Sequence, residues 1–372
     1  MAGVPTLDDF RRYAITRSLF KPTTLPAAIR QLGFVQADPM RAPARAQDLI
    51  LRLRVKGYRA GDLERRYPQL DVDEDYFVNY GFLPRQTLAL LHPREPRQSW
   101  DASTRIRAAE LLAFVREHGA CHPKQVQAEF ADHGRAVSAW GSSLQATTHL
   151  LDDMHYRGLL RVQRREAGTR VFEAVEHPAQ DDSSAPKRER AQGLLDRVVA
   201  LYAPLPAASL AYLSRLLAYG APHLKTQVRE ALKLAESRYG HAKVEGQSWF
   251  WPADENPRSR RFAPDDRLRL LAPFDPVVWD RRRFESLWGW AYRFEAYVPA
   301  PKRTMGHYAL PVLWGEQMLG WANLRVEGQR LQHELGFVGA RPKGAAFKSA
   351  LDEALGEFED FLAQGGIDRA NS

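Results

Sequence analysis

The apolar positions of LDDFRRYAITRSLF (7–20) and LPAAIRQL (25–32) predict two short helices, the second closed by Gly33 as a C-terminal cap. An extended piece starts at Phe34-Val35, and Pro39 biases Asp38 away from helical backbone. In extended geometry residues two apart share a face at roughly 6 to 7 Å, so Gln36 and Asp38 are expected to project side by side. Further on, RIRAAELLAFVREHG sets Ile106, Leu112 and Val115 on one helical side, HPKQVQAEF opens a second helix near Pro123, and SSLQATTHLLDDMHYRG reads as a third ending at Gly158. LLRVQRR and TRVFEAV then alternate as strands around the turn Glu166-Ala167-Gly168. That order of elements predicts a winged helix-turn-helix.

A Pro-, Ser- and charge-rich linker at 176–190 separates this segment from a second one of related pattern: RAQGLLDRVVALYA, ASLAYLSRLLAYG and HLKTQVREALKLAESRYG as helices, AKVEGQSWFWPA as strand. Residues 255–267 read as another connector. From 268 onward aromatic and β-branched residues alternate with glycine punctuation, which predicts a small antiparallel sheet or barrel, and KGAAFKSALDEALGEFEDFLAQ predicts a helix across it. The expected fold is therefore α+β: tandem winged helix-turn-helix domains followed by a small C-terminal β-barrel with a terminal helix. The expected segments are 1–98, winged-helix-like and carrying Gln36 and Asp38; 101–176 and 187–253, each a winged helix; and 262–372, the barrel with its helix.

Composition narrows the partner. A chain of 372 residues is long enough for several compact units, and a net charge of +8 favours an anionic partner such as nucleic acid. The charge is uneven: Arg41, Arg45, Arg52, Arg54, Lys56, Arg59, Arg65 and Arg66 stand against only Asp48, Asp62 and Glu64. No apolar run approaches the roughly 18 to 20 residues of a membrane span. MAGVPTLDDFRRY lacks a basic start followed by an apolar segment, so no secretory signal is expected. A single cysteine, Cys121, excludes an internal disulfide framework and a multi-cysteine zinc site, and a reducing cytoplasmic setting is the default. His122, His133, His149 and His155 show no metal-ligand spacing, and neither a Gly-rich phosphate loop nor a nucleotide fingerprint is present, so no metal and no cofactor is expected.

Candidate chemistry lies in GFVQADPMRAPARAQ (33–47). A Gln-x-Asp pair at a strand end has an ordinary explanation, since such residues often complete turns. It also has a chemical one, because a carboxylate can direct a water while its charge stabilises a developing cation. Arg41, Arg45, Arg52 and Arg54 fit either a solvated face or phosphate contact, with Arg45 and Arg52 seven apart and so on one face if helical. Lys302-Arg303 fits either an exposed turn or a phosphate clamp at a barrel rim. Trp279, Trp288, Trp290 and Trp314 are expected in the core, and Cys121 buried and inert.

Three segments carry a resemblance: LGFVQADPM with ARAQDLIL, LAPFDPVVWDRRRFESLWGWAYRFEAYVPAPKR, and HYALPVLWGEQMLG. Together they resemble the AlkZ/YcaQ family of bacterial DNA glycosylases. The resemblance implies tandem winged helices with a β-barrel and a monofunctional glycosylase that hydrolyses the N-glycosidic bonds of alkylated purines, interstrand crosslinks included. It implies Gln36 and Asp38 as the catalytic pair, in the Gln-apolar-Asp version of the family motif. Double-stranded DNA with alkylated or crosslinked bases is then the partner, bound by a nucleoid-associated monomer. Two places depart from the family pattern. Asp75-Tyr76-Phe77-Val78-Asn79-Tyr80-Gly81 stands where a Glu-x-Trp-Ala-His-Glu-Ala run is usual, and GWANLRVEGQ puts Trp321 where an arginine is usual. The alternatives are a winged-helix DNA-binding regulator without catalysis and a self-resistance enzyme for one natural-product adduct.

Overall fold

A computed structural model describes residues 3–96, 98–130, 135–137, 143–177, 183–328 and 330–363. The chain forms two compact units: Met1–Leu63, Asp196–Leu213 and Lys233–Ser372 make the first, Glu64–Leu195 and Ser214–Leu232 the second. They cut the chain differently from the four sequence segments, since 1–98 and 187–253 each contribute to both.

In the first unit, Leu7–Ser18 begins where Thr6 and Asp9 cap each other: Asp9 N donates to Thr6 Oγ1 at 3.2 Å and Thr6 N to Asp9 Oδ2 at 2.9 Å. The helix buries Phe10, Tyr13 and Ala14 against Trp249, Trp251, Phe262 and Leu287. Its last turn sends Ile15 into a second apolar cluster with Leu53, Leu271, Val277, Phe284, Tyr292 and Leu313. Leu25–Leu32 ends at Gly33, whose φ of 75° is the left-handed cap expected there. The strand that follows is only Val35–Gln36.

The C-terminal strands Leu268–Leu270, Leu310–Trp314, Gln317–Glu327 and Arg330–Phe337 pair antiparallel in chain order as an open sheet. This corrects the expected barrel. The first and last strands do not pair with each other; the helix Ala345–Ala363 packs against both instead. It buries Phe347, Leu351, Ala354, Phe358 and Phe361, an apolar stripe at helical spacing that covers what barrel closure would otherwise enclose. Gly320 is required inside the sheet, because a Cβ there would lie 2.0 Å from the Gly336 carbonyl oxygen. A second small sheet, in the order Leu205–Pro206, Gln247–Trp251, Gly240–Val244, packs near the first helix through Trp249 and Trp251.

The second unit contains Ala102–His118, Pro123–Glu129 and Ala146–Tyr156, then the hairpin Leu160–Glu166 with Thr169–Ala174. The hairpin turns at Ala167 and Gly168, both at positive φ, as the Glu-Ala-Gly turn predicts. The third helix is shorter than expected, because Ser143–Gln145 is a strand paired with Arg135–Val137 and the helix opens only at Ala146. Another hairpin, Val72–Tyr76 with Tyr80–Pro84, was not expected from the sequence.

Candidate active site

The first unit brings the Gln-x-Asp motif together with residues more than two hundred positions away. Gln36 is 4% exposed, and its Oε1 accepts a hydrogen bond from Trp279 Nε1 at 2.5 Å. Trp279 is itself seated beside Tyr202 and Tyr212, with ring centroids 5.5 and 6.3 Å away. Trp279 is half-buried rather than in the expected core, and its one polar atom fixes the glutamine.

Asp38 lies just past the strand and is half-buried. Its Oδ1 accepts from Met40 N at 2.9 Å, a turn that spans Pro39, while its own N–H donates to Gln47 Oε1 at 3.4 Å. Gln36 and Asp38 are therefore held by different partners. Burial pushes the Asp38 carboxyl above its ordinary value, and the Met40 N–H opposes that rise. Among the described residues no lysine or arginine forms an ion pair with it. Its charge acts instead on Tyr308, whose phenol is pushed well up by burial and then by Asp38. The Tyr308 hydroxyl is buried and has no hydrogen-bond partner among the described residues.

The basic run divides. Arg41 is exposed and Arg45 half-buried, and the charge of Arg45 acts on Asp48, a buried carboxylate bonded by Tyr58 Oη at 2.7 Å and Gly61 N at 3.0 Å. Arg54 is fully buried and forms a fork on Asp275, at 2.8 and 3.0 Å, with further bonds to the carbonyls of Ser18 and Ile50. Arg52 lies with its guanidinium 4.3 Å from the Phe358 ring and donates to the Leu270 carbonyl at 2.6 Å; burial brings its pKa down to about 10. The expectation of phosphate contact is corrected for both: Arg52 and Arg54 are internal struts, because their cationic ends meet carbonyls, a carboxylate and an aromatic face inside the unit. Arg45 and Arg52 flank the helix Ala46–Leu51 rather than share its surface.

Lys302 is exposed in the short turn Ala300–Lys302, and Arg303 donates through Nε to the Val298 carbonyl at 2.7 Å. Neither has an ion-pair partner among the described residues. No cluster of three metal-ligating side chains occurs among the described residues, and His133 lies outside them. Cys121 is buried and its thiol is pushed up by burial.

In the second unit, the positions that depart from the family pattern have structural partners. Asn79 is an exposed turn residue whose Oδ1 accepts from Tyr80 N at 2.8 Å. Tyr80 donates to Glu74 at 3.0 Å, and Glu74 is fully buried under a fork from Arg165. Asp75 is enclosed by His92 Nε2 at 2.5 Å and Arg94 at 3.0 Å. Arg94 and His92 hold the Asp75 carboxyl far down despite its burial.

Sequence reasoning missed Asp275 and Tyr308, and it missed the bond of Trp279 to Gln36. An acid inside the apolar run LAPFDPVV was a signal for a buried partner of Asp275; nothing local marks Tyr308. Among solved structures, the DNA glycosylase AlkZ of Streptomyces sahachiroi matches over 96% of this chain and 97% of its own, with a TM-score of 0.61 and 14% identity, a likeness of fold alone. A family model described as DNA glycosylase AlkZ-like matches residues 29–361. With that match running over most of its length, this chain belongs to the AlkZ-like DNA glycosylase family.

Proposed function

We propose that the protein hydrolyses the N-glycosidic bond of N7-substituted purines in duplex DNA, and unhooks interstrand crosslinks of the same chemistry, as a monofunctional, metal-free glycosylase. The observation that carries this is Asp38: half-buried, without a cationic partner among the described residues, and next in line to a glutamine locked by Trp279. An N7-alkylated purine is already cationic, so its departure with the C1′–N9 electron pair needs no protonation. What remains is an oxocarbenium-like sugar and a water. The Asp38 carboxylate stabilises the first by its charge and accepts a proton from the second as the water oxygen bonds to C1′. Gln36, with its acceptor oxygen held by Trp279, keeps its amide donors for the water or the sugar.

In this reading the helices Ala102–His118, Pro123–Glu129 and Ala146–Tyr156 with their hairpin serve as a winged helix on the duplex, with Arg41, Arg45, Lys302 and Arg303 as the proposed phosphate contacts. The test is incubation of the purified protein with N7-methylguanine duplex and with mustard-crosslinked duplex, followed by alkaline cleavage. Abasic sites at the modified guanines support the reading. Sequence-specific protection of an undamaged duplex with no abasic sites would identify a non-catalytic regulator instead.

A further inference from the structure

The loop 295–306 is braced from within. Glu295, 5% exposed, accepts from Thr304 N at 2.8 Å, Thr304 Oγ1 at 2.8 Å, Met305 N at 2.7 Å and Gly306 N at 3.2 Å. Burial raises its carboxyl, but those donors outweigh it and hold the group ionised below its ordinary value. Arg303 adds its bond to the Val298 carbonyl, which ties the two limbs of the loop together. Asn323 Nδ2 donates to Met305 O at 2.8 Å and anchors the base of the loop to the sheet.

What this bracing presents is an aromatic ring. Tyr297 is 82% exposed, the most of any large hydrophobic side chain among the described residues. Behind it Phe294 makes an edge contact at 6.1 Å, and Phe294 in turn meets Tyr308 at 5.3 Å and Phe274 at 5.0 Å. The row of rings thus runs from the Tyr308 hydroxyl, on which Asp38 acts, out to the surface. Lys302 stands on the same loop, exposed and without an ion-pair partner among the described residues. An outward ring and an exposed cation on one short, hydrogen-bonded loop suit a nucleotide: the base stacks on the ring and the phosphate meets the ammonium.

We propose that the loop 295–306 is a nucleobase-binding subsite, with Tyr297 as its stacking face and Lys302 as its phosphate contact. This rests on the glycosylase reading for its substrate, duplex DNA, and deepens it. Stacking there holds open the base step next to the damaged nucleotide. Every base has a flat face, so the subsite takes the neighbour without reading its identity.

The experiment uses a duplex with a tetrahydrofuran abasic analogue flanked by 2-aminopurine, bound by wild type, Tyr297→Phe and Tyr297→Ala. Wild type and Tyr297→Phe are expected to change the 2-aminopurine emission equally. Tyr297→Ala is expected to bind about tenfold more weakly and to leave the emission of the bound duplex as it is in free DNA. Equal affinity and equal emission change for Tyr297→Ala would overturn the subsite, whatever the protein's activity. A Tyr297-dependent signal in a protein that releases no base from N7-methylguanine duplex would leave the subsite standing and remove the glycosylase reading. Absence of any DNA binding by wild type would remove both.

Discussion

Trp279 donates its indole N–H to Gln36 Oε1 across 243 positions of sequence, which sets the glutamine amide in one of its two orientations. Trp279→Phe removes that bond and keeps the ring. The expected result is a fall in single-turnover base release of roughly tenfold or more, given what one misplaced catalytic group costs, with little change in DNA affinity. Rapid-quench kinetics at saturating enzyme separates the two.

The raised pKa of Asp38 has opposite consequences for activity and stability. Activity requires the carboxylate, so base release is expected to fall on the acid side around a pKa above the ordinary carboxylate value. For stability, the folded protein binds that proton more tightly than the unfolded chain, so the cost of burying the charge is present at neutral pH and vanishes as pH falls below the unfolded value. Asp38→Asn should therefore leave the melting temperature at pH 7 unchanged or raise it, and a clear loss would show that Asp38 holds the fold.

Arg54 and Asp275 give the contrasting case. Both are 0% exposed, and removing one partner strands the other charge. Arg54→Met is expected to destabilise by about 3 to 5 kcal/mol. Denaturant unfolding should show that loss, while the salt dependence of DNA binding by the folded fraction stays as in wild type. A changed salt slope would return Arg54 to the phosphate-binding set.

Lys302 supplies the other side of that comparison. Lys302→Ala should weaken DNA binding about equally for all sequences and reduce the slope of log K against log salt by about 1. Its exposed position predicts no effect on stability. An unchanged slope would place Lys302 off the DNA.

The second unit should be acid-sensitive. Burial lowers the His92 pKa to about 4, with Asp75 opposing, and stacking at 4.5 Å against His177 adds another ring that resists protonation. A histidine with a depressed folded pKa contributes stability fully present above its unfolded value near 6.5 and lost as pH falls toward 4. Urea melts between pH 7 and 4 should show this slope, and His92→Asn should reduce it. His155, His177 and His223 are lowered by burial too and would keep part of it.

Local signals in the sequence carried much of this. The Thr6–Asp9 cap, the Gly33 stop, the Ala167-Gly168 turn and the stripe Phe347, Leu351, Ala354, Phe358 all act within a few residues, where periodicity and turn chemistry decide. Sheet closure depends on whether distant edges meet, so the alternation from 268 onward was compatible with a barrel and with the open sheet that exists. The basic run misled for a similar reason. Charge marks residues that need a partner, and only the fold shows that Arg54 finds its partner 221 positions away while Arg41 faces solvent. The Gln-x-Asp motif was visible, but the bond by which Trp279 orients it and the tyrosine under the influence of its acid were not.

The direct test of the account is single-turnover release of N7-methylguanine from duplex DNA by wild type and Asp38→Asn at matched, saturating occupancy. The account predicts release by wild type, loss of at least a hundredfold in the variant, and equal affinity for the duplex. Equal release rates for the two proteins would contradict it.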